Sequence, residues 1–333
     1  MSLPSSWDQV ISTLKKYNRF TLGCHLNPDG DAIGSLLALG LSLEKAGKQV
    51  EMILPEGIPL TFQFLPGIQQ TVEQPTFHPE VVISVDCAER GRLQLPDEIF
   101  ASEPLLVNID HHISNDHFGQ VNLVLPEASA TGQIIFALLE KCAYPIDSAI
   151  ASALYTAIAT DTGFFRYSNT TGEVLSIAAR LVEDYQISPS QIAERVYEER
   201  SFASIRLLGE VLSTLQISGN QRYSWMYLSQ EMIEKYEVEM EEIENYVNYT
   251  NSIRGVEVGL FFKEMKPDEV KISWRSKASV DVSRLAAHFG GGGHMRAAGC
   301  SVKGSLSAVM AEVLSFLRNY FEENSQERID VLR

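Results

Sequence analysis

The segment HLNPDGDAIGS, residues 25–35, sets His25, Asp29 and Asp31 within seven positions, between an apolar run and a helical pattern. An N-cap at Asp31 and turn residues at Pro28 and Gly30 account for part of this. They leave His25 and Asp29 without a task. Three further segments offer the same chemistry: Asp86 in VISVDCAERGRL, Asp110, His111 and His112 in VNIDHHISND, and Asp161 in IATDTGFFRYSNTT. One acid after a strand is usually a cap or a turn residue; four such segments point to a shared ligand. Imidazole mixed with carboxylates suits a divalent first-row ion or Mg²⁺. Asp29 and Asp31, two apart in an extended loop, diverge and can serve two ions. A carboxylate such as Asp86 has two oxygens with which to bridge them. Paired ions about 3.5–4 Å apart activate water and neutralise phosphoryl oxygens in phosphoester cleavage, so no side-chain nucleophile is required. The histidines favour Mn²⁺ over Mg²⁺, while affinity alone does not exclude Co²⁺ or Zn²⁺.

The elements that must carry these residues alternate. Arg19–Cys24, Gln49–Leu54, Val81–Asp86 and Leu105–Asp110 read as strands, and Asp31–Ala46, Glu127–Cys142 and Ile146–Thr160 as helices. That alternation predicts βαβ units and a parallel sheet with helices on both faces. Ligands in such sheets sit beyond the carboxyl ends of the strands, where His25, Asp86 and Asp110 fall. The pattern breaks near Asp184–Pro189, and a polar helix, 186–201, reads as a linker between a domain over 1–185 and a second over 202–325. The second carries strand signals at Tyr223–Leu228, Val256–Phe262 and Val270–Trp274, and helices at Val282–His288 and Leu306–Phe321. Between those helices lies FGGGGHMRAAG.

Composition narrows the function. The 333 residues carry a net charge of −16, which argues against gripping long nucleic acid, since that needs a basic surface. A small anionic substrate is compatible if metals or a few local donors supply positive charge. No run of about 18 apolar residues exists, so no membrane-spanning helix is expected. The start, MSLPSSWDQV, lacks the regions of a signal peptide. The four dispersed cysteines form no CxxC pair and read as reduced thiols of a cytoplasmic protein. Acidic clusters such as Glu237–Glu244 read as solvated helix faces.

The four segments resemble the motifs of the DHH phosphoesterase superfamily, named after the triplet seen here as Asp110-His111-His112. FGGGGHMRAAG resembles the signature of the associated DHHA1 domain, so the resemblance spans nearly the whole chain. It implies metal coordination by His25, Asp29, Asp31, Asp86, His111 and Asp161. His112 would face the substrate phosphate, and Asp110 would orient the histidines. It also implies that the smaller α/β DHHA1 domain faces the metal centre across a cleft and binds the rest of a nucleotide. That role falls to Arg275, Ser276, Gly291, Gly292, Gly293 and His294.

On the residues themselves, four consecutive glycines are unsuited to a helix or strand interior. They read either as a flexible loop or as backbone approaching a phosphate. Arg166 reads equally as a cleft residue or a helix cap, Arg296 as a ligand or a surface residue. His78, His117 and His288 read as structural or exposed. Within the superfamily the chain is similar to the bacterial nanoRNase group. That implies hydrolysis of RNAs of two to five nucleotides and dephosphorylation of 3'-phosphoadenosine-5'-phosphate. Two alternatives stay open: a phosphodiesterase for linear or cyclic dinucleotides, and a nucleotide-binding module without activity. The oligomeric state is not legible; a homodimer is kept open.

Overall fold

The computed structural model describes residues 5–330 apart from 239, 278 and 279. The chain divides into two compact units, Met1–Glu199 and Arg200–Arg333. The first opens on α1, Ser6–Lys16, started by a capping box between Ser5 and Asp8. Then come β1 (Arg19–Gly23), α2 (Gly30–Lys45), β2 (Gln49–Met52), β3 (Val81–Val85), β4 (Leu105–Asp110) and β5 (Val121–Val124). All neighbours pair in parallel, in the order β2-β1-β3-β4-β5. The unit continues through α3 (Thr131–Cys142), α4 (Ser148–Asp161), α5 (Gly172–Tyr185) and α6 (Pro189–Ala193). Within 186–201, Gln186–Ser188 are not helical, α6 runs over Pro189–Ala193, and one π turn follows at Glu194–Glu198. Ile187 and Ile192 of this segment are buried in the first unit's core.

β3 and β4 are mostly apolar because both faces of the sheet are covered, with Ser84 and Asn108 buried among them. Val81, Ile83, Val85, Val107 and Ile109 join the core built on α1 to α4. Val82 and Leu106 belong to a separate cluster with Leu95 and Ile99. The expected helical cover is unequal: α-helices on one face, short 3₁₀ turns such as Asp97–Ser102 on the other. α2 is buried along nearly its whole length, and between Ala32 and Leu43 its only polar side chains are Ser35 and Ser42. It packs tightly on α4 because Gly34 has no side chain; a Cβ there would lie 2.4 Å from the Ala153 carbonyl oxygen.

The second unit contains α7 (Phe202–Ser213), β6 (Gln216–Ile217), β7 (Tyr223–Leu228), α8 (Gln230–Tyr236) and α9 (Val247–Asn251). β8 (Val258–Lys266), β9 (Glu269–Ser276), α10 (Val282–Ala287), β10 (Gly292–His294), β11 (Ala297–Lys303) and α11 (Leu306–Asp330) complete it. The six strands run in the order β10-β11-β9-β8-β7-β6, parallel only between β7 and β8. Leu260 and Phe262 pack with Val309, Val313, Leu317 and Phe321 of α11. Phe261, between them, packs with Leu207 and Val211 of α7.

The glycine run departs from expectation. Gly292 and Gly293 form an edge strand paired with Gly299 and Ala298 of β11. The neighbouring backbone explains the glycines: a Cβ on Gly291 would lie 2.1 Å from the Gly299 oxygen, and Gly293 has φ +137. Gly290 and Gly292 have open space at the Cβ position, though Gly290 has φ +74.

Candidate metal centre

Four loops of the first unit bring the acids and histidines together. Asp29 is the N-cap of α2; its Oδ1 accepts from the Asp31 and Ala32 amides at 3.0 and 3.1 Å. The cap is therefore Asp29 and not Asp31. Asp31, the second residue of α2 and fully buried, accepts instead from the Thr131 and Gly132 amides at 2.7 and 2.9 Å, and so caps α3. Asp86 follows β3 with φ +53, a left-handed conformation that Asp tolerates better than most side chains. Its amide still bonds the Ile109 oxygen at 3.0 Å. Asp110 closes β4, and Asp161 is the last residue of α4.

Three sets of donors result: His25 with Asp29 and Asp86, Asp86 with His111 and His112, and Asp31 with His111 and Asp161. His25 Nε2 lies 3.9 Å from Asp29 Oδ1 and 3.6 Å from Asp86 Oδ2. His111 Nε2 lies 3.7 Å from Asp31 Oδ2, 3.7 Å from Asp86 Oδ1 and 3.6 Å from Asp161 Oδ2. These separations are too long for hydrogen bonds. They are close to the roughly 3.0–3.5 Å between donors that share one ion at bonds near 2.1 Å. Asp86 turns one oxygen to His25 and the other to His111, the disposition of a bridging carboxylate. The imidazoles are oriented from behind. His25 Nδ1 meets the Leu26 carbonyl at 2.9 Å and His111 Nδ1 the Ala128 carbonyl at 3.3 Å. A carbonyl only accepts, so Nδ1 carries a hydrogen and Nε2 is the atom left to ligate an ion.

The site concentrates negative charge. Burial, then the charges of Asp86, Asp161 and Asp29, push the Asp31 carboxyl well above its ordinary value. Burial also raises Asp161, to about 7, with His111 and His112 opposing. At Asp86 burial is outweighed by His25, His112 and His111, which hold the carboxyl well below the usual range. Burial works against the charged form of His25 and of His112, yet Asp86 and Asp29 lift the first to about 9. Asp110 and Asp86 do the same for the second, also to about 9. Among the described residues the cations within 4 Å of these acids are all imidazoles. Oxygen and imidazole donors with surplus buried negative charge fit divalent cations.

Residues 19–158 match the DHH family, N-terminal domain, and residues 223–323 the DHHA1 domain. The bifunctional oligoribonuclease and PAP phosphatase NrnA of Thermus thermophilus is 32% identical, over 89% of this chain and 88% of its own length. The chain belongs to the DHH phosphoesterase family. The Bacillus subtilis protein of the same name is 28% identical over 88% of this chain and 92% of its own. An exopolyphosphatase-related protein from Bacteroides fragilis matches with a TM-score of 0.87 and 28% identity, over 96% of both chains. Divalent metal binding follows from DHH membership together with the donor cluster.

In this DHH chain Asp110 stands apart from all three donor sets. Its Oδ1 accepts from His112 Nδ1 at 2.7 Å and from the His111 amide at 2.8 Å. Its Oδ2 accepts from Asn115 Nδ2 at 2.5 Å, and that nitrogen also donates to the Cys87 oxygen at 3.2 Å. Sequence reasoning passes over Asn115 and Thr131. The SND that follows the triplet is the only local hint of the first, and nothing local marks the second.

Arg166 is exposed, donates from Nε to the Gly163 oxygen at 2.6 Å, and lies 6.0 Å from the Tyr197 ring. In the second unit Ser276 is buried and its hydroxyl donates to the Val280 oxygen at 2.7 Å. Arg275 donates to the Trp274 oxygen at 3.0 Å. The His294 backbone ends β10; its side chain lies outside the described residues.

Proposed function

We propose that this protein hydrolyses oligoribonucleotides of two to five residues to mononucleotides and removes the 3'-phosphate of 3'-phosphoadenosine-5'-phosphate to give AMP. The observation that carries the reading is the convergence of His25, Asp29, Asp31, Asp86, His111 and Asp161 in overlapping donor sets, in a chain related over most of its length to proteins named for both activities. Those six residues would hold two ions, with Asp86 the bridge, and Mn²⁺ best suits the mixed imidazole and carboxylate donors. The ions supply an activated water and offset charge on the phosphoryl oxygens. His112, fixed by Asp110, offers a donor to the scissile phosphate. Arg275, the open backbone at Gly292 within Gly291–Gly293, and His294 hold the nucleotide's other anionic group, while Ser276, whose hydroxyl donates to the Val280 oxygen, braces the strand end that carries Arg275. Arg166 is a further phosphate donor. The net charge of −16 supports short substrates over long nucleic acid, since phosphates away from the ions meet little attraction. Four buried free cysteines support a reducing, cytoplasmic setting.

The test compares initial rates, with Mn²⁺, on a labelled RNA dimer, an RNA of about twenty-four residues, 3'-phosphoadenosine-5'-phosphate and pyrophosphate. The dimer and the bisphosphate should turn over fastest, and higher salt should barely slow them. Faster loss of the long RNA would reassign the protein to long-strand degradation, and binding without turnover to a nucleotide-binding module.

A further inference from the structure

Thr131, the first residue of α3, touches two acids of the centre at once. Its hydroxyl donates to Asp86 Oδ1 at 2.9 Å, and its amide donates to Asp31 Oδ2 at 2.7 Å. The next amide, Gly132, bonds Asp31 Oδ1 at 2.9 Å. Thr131 is fully buried, and Ala130 at the N-cap makes no side-chain cap of its own. Asp86 Oδ1 is also the oxygen that faces His111 and His112, each at 3.7 Å, while Oδ2 faces His25. A hydrogen bond on Oδ1 therefore fixes the rotation of the carboxylate that stands between two donor sets. The amide contact fixes Asp31, which belongs to the third.

We infer that Thr131 is a positioning residue that sets Asp31 and Asp86 in one mutual geometry, so that metal affinity depends on a hydroxyl that binds no metal. The inference rests on the reading of Asp31 and Asp86 as metal ligands. It is separable from helix capping. The cap of α3 uses the Thr131 amide, which every substitution except proline retains, whereas the lock on Asp86 uses the hydroxyl alone.

The experiment measures Mn²⁺ binding by calorimetry on the full chain, with the melting temperature in excess chelator recorded alongside. Thr131→Val keeps the shape and removes the donor; Thr131→Ser keeps the donor. Loss of a partner behind a metal ligand typically weakens metal affinity about 10–100-fold. Thr131→Val should fall in that range for at least one ion, and Thr131→Ser should bind close to wild type. If Thr131→Val does not fold, Thr131→Ala carries the same comparison. Unchanged Mn²⁺ affinity in Thr131→Val, with or without a lower chelated melting temperature, makes Thr131 merely structural and overturns the inference. A wild-type chain that binds no Mn²⁺ overturns the metal reading beneath it.

Discussion

Asp110 Oδ1 receives the Nδ1 hydrogen of His112 at 2.7 Å while belonging to no metal-ligating set. The carboxylate therefore orients a ring and stands outside the candidate donor sets. Asp110→Asn keeps the shape but loses the negative charge and the certainty that Nδ1 carries the hydrogen. Turnover should drop about 10–100-fold with metal content unchanged. Metal analysis of the purified variant beside steady-state kinetics checks both halves; loss of an ion would place Asp110 among the ligands.

Asp29 has two tasks that chemistry can separate. Asn is as good an N-cap as Asp but a poor ligand for a hard cation. Asp29→Asn should melt near wild type in chelator and bind Mn²⁺ more weakly. Asp29→Ala should show the same metal defect and lose about 1 kcal/mol of stability as well. Equal stability of the two variants would remove the capping role.

Asp86 presents one oxygen to each side of the centre, so its removal should cost more than one contact. Asp86→Ala is expected to lose at least one ion, and chelation of the wild type to abolish hydrolysis, with Mn²⁺ restoring it best. Substantial turnover in a rigorously metal-free sample would sink the metal mechanism.

The protonation of the metal-free site gives a pH dependence with a definite sign. His25, pushed up to about 9, and Asp161, pushed up to about 7, hold protons that an incoming ion must displace. Affinity for Mn²⁺ should therefore rise with pH through that window, and binding should release protons. Calorimetry in buffers of different ionisation enthalpy measures the release; a flat affinity across the window would contradict the assignment.

Gly34 lets α2 and α4 approach, and those helices carry Asp31 and Asp161. A methyl there meets the Ala153 oxygen at 2.4 Å and the Ala157 Cβ at 2.8 Å. Gly34→Ala should cost about 1–3 kcal/mol in urea unfolding and also weaken metal binding. A stability loss with full metal affinity would show that the site tolerates a shift between the two helices.

The parallel sheet and its acid-terminated strands are readable from the chain because β3 and β4 are buried on both faces, which leaves runs such as VVISV with four apolar residues in five. β5 is only four residues long and half-buried at its start, and α1 is polar on one side, so neither announces itself. The donor residues are legible because a ligand atom must be of the right type wherever it stands. Their supports are not: Thr131 could be any helix-opening residue until Asp31, 100 positions away, is known to lie against it. Choosing between Asp29 and Asp31 as the cap likewise depends on α3. The glycine strand is hidden for a similar reason, since β10 exists only through its pairing with β11.

The spacing of the Asp31–Thr131 contact also bears on how the protein is made. Asp31 is synthesised 100 residues before the amide it caps, and Asp86 45 residues before the hydroxyl that holds it. Contacts of that span close late, because the loop entropy must be met before they form. A nascent chain that has emerged only through β5 carries His25, Asp29, Asp31, Asp86 and His111 yet lacks Asp161 and both Thr131 contacts. Metal capture would then follow the completion of folding of the first unit, because the full donor set exists only once α3 and α4 have docked.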